Sequence, residues 1–168
     1  MKDYLESEDK TFYYFHAVDF SIANLSQKSK VKSQNQGSVT KANWLQIQLR
    51  KIALLIDVCR FRRLIKKLKV DYVISDRYFY DSVVNIDYLS GNNKKLFAEK
   101  FITKPDFAFF IKVSPEEIMQ RERKPDQGLE YLRAKEKIYT DKLKKWEMIV
   151  IDGKKSSEEI HQNIIGNL

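Results

Sequence analysis

Val70-Asp71-Tyr72-Val73-Ile74-Ser75-Asp76-Arg77-Tyr78 is the stretch on which the reading of this chain turns. A short β-branched and aromatic run stops at an acid followed by a base. Apolar runs of this length, bounded by polar residues, suit a strand buried on both faces, the kind found in parallel sheets. Ligands of open α/β sheets bind just outside the carboxyl ends of such strands. At that place Asp76 offers a group for a metal ion or its water shell, and Arg77 offers a planar fork for a phosphate. A surface ion pair closing a strand explains the same two residues.

Outward from this stretch, strands alternate with helices. Thr11 to His16 reads as a buried strand, and Asn43 to Leu68 as a long helix with apolar Leu45, Leu49, Ile52, Ile56 and Cys59 at three- and four-residue steps. Asp81 to Leu89 suits a helix closed by Ser90-Gly91-Asn92-Asn93, and Lys94 to Ile102 a second, short one. Asp106 to Val113 predicts a third buried strand. Ser114-Pro115-Glu116-Glu117 is a helix start, with Ser114 as cap, Pro115 at the first turn and Glu117 completing a capping box. Leu129 to Leu143 predicts a helix, Met148 to Asp152 a fourth strand, and Ser156 to Ile165 a closing helix. Ser26 to Thr40, rich in Ser, Gln, Lys and Asn, reads as a mobile loop. The alternation predicts an α/β fold with a parallel sheet covered on both faces.

The 168 residues suffice for a single domain with a core of its own. No apolar run is long enough to span a membrane, and Met1 to Glu6 is charged where a signal peptide is apolar. Cys59 is alone and sits in an apolar pattern, so a core filler in a reducing cytoplasm is expected. The net charge is +8, and from Ser26 to Val70 twelve Lys and Arg face one acid, Asp57. Such a field attracts polyanions, although a solvated polar surface accounts for most of these lysines. The chain shows no zinc spacing, no RNA-binding aromatic signature and no leucine heptad joined to the basic region. Nucleic acid is therefore not the expected partner.

Several parts occur in one order. Asp76-Arg77-Tyr78 ends a strand, Lys104-Pro105-Asp106 precedes another, and Val113-Ser114-Pro115-Glu116-Glu117 opens a helix. An Arg-rich turn from Arg121 to Asp126 follows, then a helix with Tyr131, Arg133, Lys135 and Tyr139. Val150-Ile151-Asp152 then stands ahead of Ser157-Glu158-Glu159-Ile160. In this order and spacing the chain resembles the thymidylate kinase family of nucleoside monophosphate kinases, well from Leu54 onward and more weakly from Met1 to Ile22.

The resemblance implies a three-layer, P-loop-kinase-like fold and transfer of the ATP γ-phosphate to dTMP, giving dTDP, with Mg2+. It also implies a homodimer packed through helices, for which the long apolar helix from Asn43 offers a surface. Arg77 corresponds to an arginine that grips the acceptor phosphate, Asp76 to an acidic neighbour acting near the magnesium, and Tyr78 completes the motif. Arg60 falls where the family reads the base edge, and Ile56 where it often stacks an aromatic on the base. Ser82, Asn85 and His16 fall in the substrate pocket. Arg121, Arg123 and Lys124 fall in the lid, where cations neutralise the transferring phosphoryl group. A helix-end charge effect and a salt bridge to Glu122 account equally for Arg121 and Arg123.

The sequence also departs from that pattern. It contains no Gly-rich loop ending in Gly-Lys-Ser or Gly-Lys-Thr, and Gly37-Ser38-Val39-Thr40-Lys41 is not one. Met1 to Glu6 resembles the end of the helix that follows that loop, which predicts an N-terminally truncated form lacking the first, central strand. The strands at Tyr72 and Phe107 would then pair directly, leave a gap or recruit another chain. His16 stands where the family has Arg, and Asp81 and Asn85 replace small and aromatic residues, which bears on deoxy-selectivity. A catalytically inactive nucleotide-binding derivative and a basic nucleic-acid-binding module using Ser26 to Lys69 are the alternative readings.

Overall fold

The computed structural model describes residues 1–22, 41–91, 96–122 and 124–168. The predicted loop over Ser26–Thr40, the segment Asn92–Lys95 and Arg123 lie outside the described residues. The chain forms two compact units, Lys2–Thr103 and Lys104–Leu168, the second joined by Met1.

In Lys2–Thr103, helix α1 (Lys2–Ser7) leads into strand β1 (Phe12–His16) and a short helix α2 (Ala17–Phe20). The long helix α3 (Trp44–Ile65) precedes strand β2 (Tyr72–Asp76), helix α4 (Phe79–Ser90) and a 3-10 turn at Phe97–Phe101. That turn stands where the sequence predicts a helix from Lys94 to Ile102. Strands β1 and β2 run parallel, in a register that sets Phe12 opposite Tyr72 and His16 opposite Asp76. The start of the pair is pinned by Asp71, whose Oδ2 accepts from the Thr11 amide at 2.8 Å and hydroxyl at 2.7 Å. These bonds hold the Asp71 carboxyl below its ordinary value.

One side of this pair carries the core. Phe15 is buried and packs on Phe61 at 4.4 Å and Phe79 at 5.6 Å between ring centroids. Asn43 starts α3 with a capping box, its Oδ1 accepting from the Gln46 amide at 2.8 Å while Gln46 Oε1 accepts from the Asn43 amide at 3.0 Å. The helix buries Ile47, Leu54, Val58 and Phe61. Gly91 ends α4 at φ 58, a left-handed cap that glycine adopts without a Cβ penalty.

In Lys104–Leu168, strand β3 (Phe109–Lys112) leads into helix α5 (Pro115–Gln120) and helix α6 (Gly128–Trp146), and strand β4 (Ile149–Asp152) into helix α7 (Ser157–Ile165). Strands β3 and β4 are parallel, with Phe109 opposite Ile149. Phe110 stacks on Tyr139 at 5.1 Å, and Tyr139 meets buried Trp146 at 6.2 Å. Gly153 leaves β4 so close to β3 that a Cβ there would meet Val113 Cγ2 at 2.4 Å. The boxes expected at Ser114/Glu117 and Ser156/Glu159 both form.

Glu117 carries a pH dependence. Its ion pair with Lys154 at 2.8 Å and the Ser114 hydroxyl lower its pKa to about 2 from 4.5. A folded pKa below the unfolded one contributes stability that is present above pH 4.5 and lost as pH falls toward 2. Acid unfolding of this unit, followed by circular dichroism, should lose its steepest part in that window in Glu117→Gln. Both partners are exposed, so salt should shrink the difference.

The described residues form two two-stranded parallel sheets, one in each unit, in keeping with the expected α/β class with parallel strands. Two expectations need correction. Strand β2, predicted buried on both faces, and strands β1 and β3, predicted buried, are half open: Tyr14, Tyr72, Val73 and Ile111 are exposed. An inner strand has two ladder neighbours, whereas among the described residues β2 pairs with β1 alone and β3 with β4 alone. Cys59 is exposed and not a core filler, because it continues the stripe Leu45, Leu49, Ile52, Ile56 on the side of α3 away from its buried residues.

Candidate functional site

The carboxyl ends of β1 and β2 lie side by side, with His16 opposite Asp76. One residue further, Arg77 adopts φ 56, in the left-handed region that costs a non-glycine residue about 1–2 kcal/mol. Its carbonyl accepts from the Ala17 amide at 3.2 Å, which extends the strand-to-strand link past the last ladder pair. The strained turn directs the chain from β2 into α4, and Arg77 is exposed. Strain of this kind, held by its surroundings at the mouth of parallel strands, is a mark of a functional position.

Asp76 is exposed beside Arg77, and the Tyr14 hydroxyl donates to its Oδ2 over a long 3.4 Å. Desolvation, and then the Asp76 charge, raise the Tyr14 phenol above its ordinary value. His16 Nδ1 lies 3.0 Å from Asp19 Oδ2. Tyr78 has a different task. Its hydroxyl donates to the Thr103 carbonyl at 2.5 Å, and its ring meets Phe79 at 5.1 Å and Phe61 at 5.8 Å. Burial raises its pKa further from neutrality, so it seats the turn as a neutral phenol.

Arg60 reaches the same aromatic cluster from α3. Its guanidinium lies 4.4 Å from the ring centroid of Phe20, which in turn meets Phe61 at 6.4 Å. Arg60 Nη1 donates to the Phe20 carbonyl at 3.0 Å and to Asp57 Oδ1 at 2.9 Å. Asp57 is 2% exposed and also accepts from the Ile22 amide at 3.1 Å. Asn85 and Ser82 lie half-buried on α4, and Asn85 Nδ2 donates to Asp81 Oδ2 at 3.3 Å. Ile56 is exposed on the outer stripe of α3.

Of the sequence-predicted residues, the structure thus brings His16, Asp76, Arg77 and Tyr78 together at two strand ends. The aromatic cluster continues from Tyr78 to the ring beneath Arg60. Arg121 belongs to the other unit, where it caps α5 with its amide bonded to the Ile118 carbonyl at 3.2 Å. Among the described residues no ion pair joins it to Glu122, and Arg123 lies outside them. Sequence reasoning missed the part played by Asp57, although its three-residue spacing to Arg60 on a helix was a visible signal.

Among the described residues, no three His, Cys, Asp or Glu side chains converge on a metal position. Asp76 stands as a single exposed carboxylate among the described residues. No described helix is long and apolar enough to cross a membrane.

The arrangement sets an exposed guanidinium at the carboxyl ends of two parallel strands, a group able to pair with an anion. The thymidylate kinase family model matches residues 30–164. The chain belongs to the thymidylate kinase family. It is 30% identical over 131 residues to a protein of Methanocaldococcus jannaschii described as a probable thymidylate kinase, covering 73% of this chain and 69% of that one. A protein of Sulfurisphaera tokodaii with the same description is 28% identical over 135 residues, covering 76% of this chain and 70% of that one. Membership points to nucleoside monophosphate kinase activity, which in this family uses ATP and Mg2+.

Proposed function

We propose that the carboxyl ends of β1 and β2 bind dTMP as the phosphate acceptor of an ATP-dependent kinase. Arg77 carries this reading: an exposed guanidinium on a strained backbone, fixed to the neighbouring strand through Ala17. Arg77 clamps the nucleotide phosphate bidentately, and His16 offers it a second donor. Arg60 faces the base. Ser82 and Asn85 line the sugar side, while Ile56 gives the base an aliphatic surface in place of an aromatic one. Asp76 is the carboxylate that would orient the water shell of a magnesium ion, which would supply charge neutralisation to the phosphates. By family resemblance Arg121 and Arg123 are assigned to neutralising the transferring phosphoryl group.

In the complete reaction a phosphate oxygen of dTMP attacks the γ-phosphorus of ATP. The bond from that phosphorus to the β–γ bridging oxygen breaks, dTDP forms and ADP leaves. The strand ends of β1 and β2 account for the acceptor half of that reaction. Isothermal titration with dTMP tests this: dTMP should bind, and Arg77→Ala should weaken it by about tenfold or more. No dTMP binding, or unchanged affinity in Arg77→Ala, contradicts it.

The same reading makes the protein a cytoplasmic homodimer. Leu45, Leu49, Ile52 and Ile56 follow one another at four-, three- and four-residue steps, and each is more than 40% exposed. A second copy of this stripe would cover it, and the stripe positions themselves carry no charge to repel that copy. Leu49→Lys should convert a dimer to a monomer in light scattering with little loss of helicity. A wild-type chain that is monomeric at all concentrations contradicts this part of the proposal.

A further inference from the structure

Five cations crowd the end of α3. Arg62, Arg63, Lys66, Lys67 and Lys69 fall within eight residues, and no acid stands between Asp57 and Asp71. All five are exposed, and none forms an ion pair among the described residues. The flanking acids are engaged elsewhere, Asp57 by Arg60 and Asp71 by Thr11. The backbone that carries the cations is fixed: the Lys66 amide donates to the Arg62 carbonyl at 3.4 Å, and the Lys67 and Leu68 amides donate to the Leu64 carbonyl at 2.9 and 3.1 Å. Arg62 and Lys66 stand one helical turn apart with Arg63 and Lys67 beside them, and like charges at this spacing weaken a helix. The helix dipole favours cations only within its last turn, so Lys67 and Lys69, beyond Ile65, gain little from it. An aromatic pair adjoins them. The 3-10 turn Phe97–Phe101 packs on α3. The Arg62 guanidinium lies 6.0 Å from the Phe101 ring centroid, and Phe101 meets Phe97 edge-on at 5.1 Å. Phe97 is 64% exposed, and exposed Lys100, three residues on, shares its side of the turn.

We infer that the end of α3 and the Phe97–Phe101 turn form a binding surface for single-stranded nucleic acid, with the cations on successive phosphates and Phe97 under a base. This goes beyond the acceptor-nucleotide reading and does not depend on it. The sequence carries none of the recognised nucleic-acid motifs, and this mode needs none. Phosphate neutralisation supplies the affinity, and stacking of a base on an aromatic ring adds to it without reading sequence. A base must be unpaired to stack on a side chain, so the exposed ring selects single strands over duplex. A charged bilayer would attract the same cations. Leu64, Ile65 and Leu68, which lie among them, are half-buried, so the surface offers one ring and no apolar helix face to enter lipid.

The test is fluorescence anisotropy of a labelled oligodeoxyadenylate of about 20 nucleotides, which carries no thymine, titrated with the wild-type chain over a range of salt. Binding should weaken with salt at a log–log slope of about −3, the value for about four phosphate contacts on a single strand. Lys66→Glu with Lys67→Glu should cost about tenfold or more in affinity and flatten the slope. Phe97→Ala should weaken the single strand by about fivefold or more and leave binding of a duplex of the same length unchanged. Neither change should alter dTMP affinity in calorimetry. If circular dichroism shows the double glutamate variant unfolded, Lys67→Gln with Lys69→Gln, both beyond the helix, takes its place and should also flatten the slope. No binding at low salt, or binding indifferent to the cation variants, would overturn the inference. So would a duplex held as tightly as the single strand, or an affinity that Phe97→Ala leaves intact. Phosphatidylserine vesicles bound through the same cations while the oligonucleotide is not would make this a membrane-facing surface and overturn it as well.

Discussion

Arg77→Gly should stabilise the Lys2–Thr103 unit and abolish most of its affinity for dTMP. The two effects have separate origins. Arg77 holds φ 56, a region that glycine enters without the Cβ clash, so relief of strain should add about 1 kcal/mol to stability. The same change removes the guanidinium proposed to clamp the phosphate. Hydrogen bonds to charged groups contribute about 1.5–3 kcal/mol, which corresponds to a loss of about 10- to 100-fold in affinity. Chemical denaturation and calorimetric titration of one preparation read both quantities. A residue kept for structure alone would not give opposite signs, so a variant that is less stable and binds normally contradicts the assignment.

Phe79→Ala should be the most damaging single change in that unit. Phe79 is 2% exposed and meets Phe15, Phe61 and Tyr78 with centroids at 5.6, 5.3 and 5.1 Å. Removing a buried ring costs about 3–5 kcal/mol, through lost transfer energy and the cavity left behind. Natural domains hold only about 5–15 kcal/mol in total, so much of the margin would go. The ring also joins the residues under Arg60 to the turn at Arg77, so nucleotide affinity should fall along with stability. Phe97→Ala, at an exposed ring, should change stability by less than about 1 kcal/mol in the same denaturation series.

Local chemistry made much of this legible in the sequence. Ser114 with Glu117 and Ser156 with Glu159 announce helix starts because a side-chain oxygen and a carboxylate three residues on satisfy the free amides reciprocally. The strand before Asp76 was readable because β-branched residues stop at a polar pair. Its burial was not readable, since exposure depends on which strands and helices come to lie beside it. The same limit governs α3, which is apolar on two sides. Ile47, Leu54, Val58 and Phe61 point into the core, whereas Leu45, Leu49, Ile52, Ile56 and Cys59 do not, and spacing alone cannot choose between the two stripes.

The candidate site divides in the same way. Arg77 could be picked out by its place after a strand, but its left-handed backbone and its bond to Ala17 needed coordinates. Arg60 was placed by resemblance, and the bonds that orient it come from Phe20 and Asp57, the first 40 residues away in the chain. Tyr78 completes the motif, yet its hydroxyl is turned to Thr103. A motif names residue types in order. It does not say which of them face the ligand and which hold the others still.

The proposed phosphate clamp at Arg77 is tested most directly by titrating the wild-type chain with dTMP and with thymidine under identical conditions. The two ligands differ only in the phosphate, so their difference isolates what the clamp contributes. The account predicts that dTMP binds about tenfold or more tightly than thymidine, and that Arg77→Gly removes the gap. Equal affinities in the wild type, or a gap that survives in Arg77→Gly, would contradict it.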